Sequence, residues 1–254
     1  MVPRPILVEA ALNGARDPVE HPALARTPDD IAREARAAVD TGAVALHMHP
    51  RGADGPESMR ADVEAAWLAA VRESVPGIPV GVTTGAWIEP GQERRLALVR
   101  AWTVLPDFAS VNMQEAGAVE LCELLLERGI GIEPGVTDLD DTQTLLGSGL
   151  ASRCERVLVE VEGHDADAAV EMAAAIDAEF RHSGLAVPIV QHGFGADTWA
   201  VIEAAIALGR DIRIGLEDTL TLPDGSTASG NADLVAAAMG LVRRLGREPS
   251  GLGA

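Results

Sequence analysis

Residues 27–49 read "TPDDIAREARAAVDTGAVALHMH", and the periodicity of the chain changes inside them. The first part is an Ala-rich amphipathic stretch in which Thr27 can cap a helix, Pro28 suits its first turn and Gly42 ends it. The second part alternates as a strand does. Val44, Leu46 and Met48 fall on one face, and Ala43, Ala45, His47 and His49 on the other.

The same switch recurs along the whole chain. Strand-like runs stand at 5–11 (PILVEAA), 43–49 (AVALHMH), 78–84 (IPVGVTT), 107–113 (DFASVNM), 129–133 (GIGIE), 156–162 (RVLVEVE), 187–192 (VPIVQH) and 211–217 (DIRIGLE). Eight strand-plus-helix units in 254 residues predict an α/β fold, a TIM (β/α)8 barrel, as a single domain over 1–254. The tail from about 248 is expected to fray. A doubly wound open sheet is the alternative, but no G-x-G-x-x-G follows the first run and no Walker loop occurs.

Composition narrows the chemistry. The net charge of −19 argues against nucleic acid and anionic membranes as partners, and no segment reads as a membrane span or cleavable signal. All 20 cationic side chains are Arg. Without Lys there is no Schiff base and no lysine-anchored pyridoxal phosphate. Cys122 and Cys154 form no metal-ligand motif and read as two buried thiols in a reduced, cytoplasmic setting.

In a barrel the site lies at the C-terminal ends of the strands. Alternation sends Ile212, Ile214 and Leu216 outward, and Arg213, Gly215 and Glu217 inward. The same test turns His47 and His49 inward, with Glu9, Asn13, Thr83, Ser110, Asn112, Glu133, Glu160 and Glu162. The inward hydroxyls and Asn carry little information singly. Five inward acids are another matter, because unpaired buried carboxylates cost several kcal/mol each. Arg213 is the one inward cation that this reading finds, so a metal dication is expected to supply the balance. His47, His49 and Glu217 offer two imidazoles and a carboxylate, the composition of a catalytic zinc or non-haem iron site. His192 reads as a further ligand, an acid–base group or a wall residue; His21, His164 and His182 read as solvated.

The motifs "HMHPRGADG" (47–55) and "RIGLEDTLTLPDGSTASGNADLV" (213–235), with "GARDPVEHPALARTPDDIAREA" (14–35) and "VTTG" (82–85), resemble the beta-keto acid cleavage enzyme family. Its pattern is H-x-H-x-R-x-x-D-G at the second strand and R-x-G-x-E-D-N at the eighth, followed by S-N-x-x-L-V. The resemblance implies a divalent metal, usually zinc, on His47, His49 and Glu217. It implies a beta-keto acid condensed with acetyl-CoA to give acetoacetate and a new acyl-CoA. Arg213 and Asp218 map onto the pair that generates the carbanion, and Thr83 and Ser110 onto the family's hydroxyls. Glu9, Asn13, Asn112, Glu133 and His192 are the expected substrate contacts.

Several positions depart from the pattern. Glu133 is the one acid kept where the family has E-x-E, Ala196 stands at an Arg position, Asn112 and Gln114 replace Asp and Gly, and Arg16 occupies an often acidic position. The run "QERRLALVR" (92–100) reads as a solvated helix face. A metal-dependent hydrolase and a catalytically silent binding barrel are the competing readings. A homo-oligomer is expected.

Overall fold

The computed structural model describes residues 4–163 and 165–251. Eight parallel strands close into a barrel in sequence order: β1 (Val8–Ala11), β2 (Ala45–Met48), β3 (Val80–Val82), β4 (Phe108–Asn112), β5 (Gly131–Val136), β6 (Val157–Val161), β7 (Ile189–Gly193) and β8 (Asp211–Ile214). Closure comes from β8 pairing with β1, with Glu9 opposite Arg213. A helix follows each strand: α1 (Pro28–Thr41), α2 (Ala61–Ser74), α3 (Gln92–Ala101), α4 (Ala118–Glu127), α5 (Leu139–Ser148), α6 (Ala166–His182), α7 (Thr198–Leu208) and α8 (Asn231–Arg244).

The α1–β2 unit forms as the sequence implies. The Thr27 hydroxyl accepts from the Asp30 amide and the Asp30 carboxylate accepts from the Thr27 amide, a reciprocal cap before Pro28. Ile31, Ala35, Ala38 and Val39 bury one stripe of α1, and Gly42, at φ 127°, turns the chain into β2. The outward strand residues Val8, Ala10, Leu46, Met48, Ile212 and Ile214 join these helix stripes in one core between sheet and helices.

Four expectations change. β5 runs on to Val136, through Pro134 and Gly135, three residues past the end of the run 129–133. A barrel has no free edge, so Pro134 sits inside the sheet opposite Val111 without an N–H to donate. The tail is tied down as far as Ser250: the Ile6 amide donates to the Glu248 carbonyl and the Ser250 amide to the Ile6 carbonyl. His21 is buried, its Nε2 2.9 Å from the Ala228 carbonyl oxygen, whereas His182 is exposed and His164 lies outside the described residues. Arg95, in the stretch expected to be a solvated helix face, is buried with a 2.5 Å ion pair to Glu115. Cys122 and Cys154 are free and buried, as expected.

Candidate active site

His47 points inward near the end of β2 and His49 just beyond it; both are buried, at 1% and 3% exposure. Their Nε2 atoms face each other at 3.1 Å. Glu217, past the end of β8, brings Oε1 to 3.4 Å from His49 Nε2 and Oε2 to 3.8 Å from His47 Nε2. Gly14 makes this approach possible. It adopts φ +57°, and a Cβ there would stand 2.4 Å from Glu217 Cγ.

This cluster fits a metal ion. One ligand atom from each of His47, His49 and Glu217 lies within 4.8 Å of the others, and Glu217 Oε2 is buried with no hydrogen-bond partner. Burial holds the His47 imidazole well below its usual range. A neutral imidazole is a ligand. Burial also pulls His49 down, but Glu217 and Glu57 outweigh it and push the ring up to about 9. Glu217 is raised by burial and lowered more strongly by Arg213 and the two imidazoles, which hold it well below the usual carboxylate range.

Arg213 ties the cluster to Asp218. Its NH2 nitrogen donates to Glu217 Oε1 at 2.5 Å and to Asp218 Oδ1 at 2.8 Å, and its Nε reaches the same Asp218 oxygen at 3.3 Å. Asp218 Oδ2 is buried without a partner. His192 stands behind, Nδ1 3.2 Å from Asp218 Oδ1 and Nε2 3.6 Å from Glu160 Oε2. Burial and Arg213 disfavour its charge, but the two carboxylates prevail and raise it to about 9.

A cavity of about 440 Å³ opens on this group. Thr83, Ser110 and Asn112 line it with His47, His49, Arg213 and Glu217, as the strand alternation predicts. Trp87, Thr137 and Phe194, from the loops after β3, β5 and β7, also line it. These loop residues carry no periodic signal. Glu160 reaches the cavity over Gly135, where a Cβ would lie 2.2 Å from Glu160 Oε1.

Glu9, Asn13, Glu133, His192 and Asp218 do not line the cavity. Asn13 instead clamps the backbone of His49, donating from Nδ2 to its carbonyl at 2.8 Å and accepting its amide at 2.9 Å. Glu9 and Glu133 lie at the floor of the barrel against Arg156, at 3.2 and 2.5 Å. The Arg156 guanidinium sits 4.4 Å from the Phe108 ring centroid. Arg213 is therefore not the lone inward cation. Arg156 opens the run 156–162 with the inward parity of Leu158 and Glu160, and that parity was the signal for it. Glu162 is exposed and leaves the set of buried acids.

A family model described as beta-keto acid cleavage enzyme matches residues 5–252. The chain belongs to that family. Within it, this member is 26% identical to a 3-keto-5-aminohexanoate cleavage enzyme of Fusobacterium nucleatum, over 96% of this chain and 93% of the relative. It is 25% identical to a 3-oxoadipate:acetyl-CoA acetyltransferase of Cupriavidus necator, over 96% and 90%. Among solved structures, a ternary complex of ObcA with C4-CoA adduct and oxalate superposes with a TM-score of 0.75 at 17% identity. That match covers 90% of this chain and 65% of ObcA, and shows a shared barrel.

Proposed function

We propose that this beta-keto acid cleavage enzyme condenses a beta-keto acid with acetyl-CoA and cleaves the adduct to acetoacetate and a new acyl-CoA. A divalent metal, zinc in this reading, is held by His47, His49 and Glu217. The observation that carries the reading is the convergence of these three side chains and Arg213 at one cavity, with Asp218 held directly behind Arg213. When bound, the dication supplies a Lewis acid for the enolate charge that proton abstraction creates.

The chain's own groups divide the remaining work. Asp218 is the base: Arg213 and His192 hold its Oδ1, and its unpartnered Oδ2, buried just behind the cavity lining, takes the proton from the carbon between the two carbonyls when the side chain turns past Arg213 toward the cavity. Arg213 orients that carboxylate and adds positive charge at the cavity wall. Across the cavity, the Thr83 hydroxyl accepts from the Gly85 amide at 3.2 Å, which leaves its proton for a substrate oxygen. Ser110 and Asn112 stand beside it on β4 to bind the same substrate. Arg16 offers a cation at the cavity for an anionic group of either substrate. The reduced cytoplasmic setting draws on the two free thiols. A homo-oligomer belongs to the same reading, and sedimentation equilibrium tests it.

Elemental analysis of wild type beside His47→Ala, His49→Ala and Glu217→Ala tests the metal site, and chromatography of coenzyme A esters with a panel of beta-keto acids tests the reaction. The expected result is near-stoichiometric zinc lost in all three variants, with acetyl-CoA consumed in a keto-acid-dependent way. A wild type that binds no metal after reconstitution, or turns over none of the panel, overturns the reading.

A further inference from the structure

The loop after β2 places a carboxylate against the back of one histidine. Glu57 Oε1 lies 2.6 Å from His49 Nδ1, on the side of the ring away from His47 and Glu217. The loop is held firmly. Residues Arg51 and Glu57 bridge across it, and the Arg51 guanidinium donates to the carbonyls of Gly14, at 2.9 Å, and Arg16, at 2.7 Å. A second group secures the carboxylate itself. The Trp87 indole N–H donates to Glu57 Oε2 at 3.0 Å, and its ring stacks on His49 at 6.1 Å between centroids and 23° between planes. Gly85 leaves the space for that ring, since a Cβ there would stand 2.3 Å from it. His47 has no such support: its Nδ1 is buried with no hydrogen-bond partner.

We propose that Glu57 is a positioning residue for the metal, fixing the Nδ1–H tautomer of His49 so that Nε2 faces the ion, and that Trp87 locks Glu57 in place. The inference rests on the metal site proposed above. A histidine ligand that donates its other N–H to a carboxylate is oriented and made more basic toward the metal, and losing that carboxylate typically costs metal affinity. Trp87 also lines the cavity, so whatever fills the cavity touches the residue that holds Glu57.

Zinc affinity by chelator competition, for wild type, Glu57→Ala, Glu57→Gln and Trp87→Phe, is the test. Glu57→Ala is expected to weaken zinc about 10- to 100-fold. Glu57→Gln keeps an acceptor and should fall short of that loss, and Trp87→Phe, which removes only the donor, should cost roughly two- to tenfold. Long-range proton–nitrogen spectra of the zinc form should show His49 protonated at Nδ1 in wild type and not held there in Glu57→Ala. Trp87 is 52% exposed, so its variant tests the lock even where Glu57→Ala fails to fold. Zinc affinity and the His49 tautomer unchanged across the variants would overturn the inference and leave the metal site standing. A wild type that binds no zinc would overturn the site itself.

Discussion

Inside the barrel of this enzyme, buried charge gathers at the floor and at the mouth, and the two places are built differently. At the floor, Glu9 and Glu133 close on Arg156, a cation that the chain supplies, above the ring of Phe108. At the mouth, Arg213 is shared between Glu217 and Asp218, and the two imidazole nitrogens face the two oxygens of Glu217, of which the one toward His47 has no hydrogen-bond partner. Burial and residue types are alike in both. What separates them is access: both keep buried polar atoms without hydrogen-bond partners, and Glu9 and Glu133 each bring a ligand atom within 4.8 Å of one on His47, but Glu9, Glu133 and Arg156 do not line the cavity. The floor is closed off from the cavity and reads as structure; the mouth opens on it and reads as chemistry.

Asp218→Asn breaks the mouth with the largest expected effect. Removing the base should lower kcat by roughly 10²- to 10⁴-fold, while zinc content and the circular dichroism spectrum stay as in wild type. A loss under about tenfold would move Asp218 over to the structural acids and blur the distinction. Arg156→Met breaks the floor. It strands two carboxylates that have little other partner, and removing one member of a buried pair costs about 3–5 kcal/mol. Urea unfolding should report that loss, and the folded fraction should still bind zinc. Zinc lost from protein that remains folded would mean that floor and mouth are one electrostatic unit.

The mouth was more legible in the sequence than the floor, and the reason is local. His47, His49, Arg213 and Glu217 stand in runs of unbroken alternation, so parity alone turns them inward. Arg156 obeys the same parity, but its partners come from β1 and β5, and no local pattern announces that the three meet. Asn13 has inward parity too, yet its amide is spent on the backbone of His49, a use that only the register of β1 against β2 reveals. Glu57 and Trp87 lie in loops, where spacing carries no information about direction. The fold itself was readable because the switch from helical to alternating periodicity recurs along the chain, even though only α1, α5 and α6 carry a side-chain cap.

An effect confined to one pH window sharpens the account of the floor. Burial, then the charge of Glu133, pushes Glu9 up to about 8 against the pull of Arg156 and Arg213. The folded protein therefore holds a proton that the unfolded chain releases above its ordinary value of 4.5. A proton on Glu9 relieves its repulsion with Glu133 beside Arg156. Its contribution to stability is whole below about 4.5, shrinks as pH rises and is gone above about 8, because across that window folding must take up a proton. Glu9→Gln carries no such proton in either state. Its stability relative to wild type should improve from pH 5 to pH 8, read as converging or crossing urea midpoints. Parallel midpoints would mean that Glu9 is ionised throughout, and that Arg156 holds two charged carboxylates at the floor, as the metal is proposed to gather its ligands at the mouth.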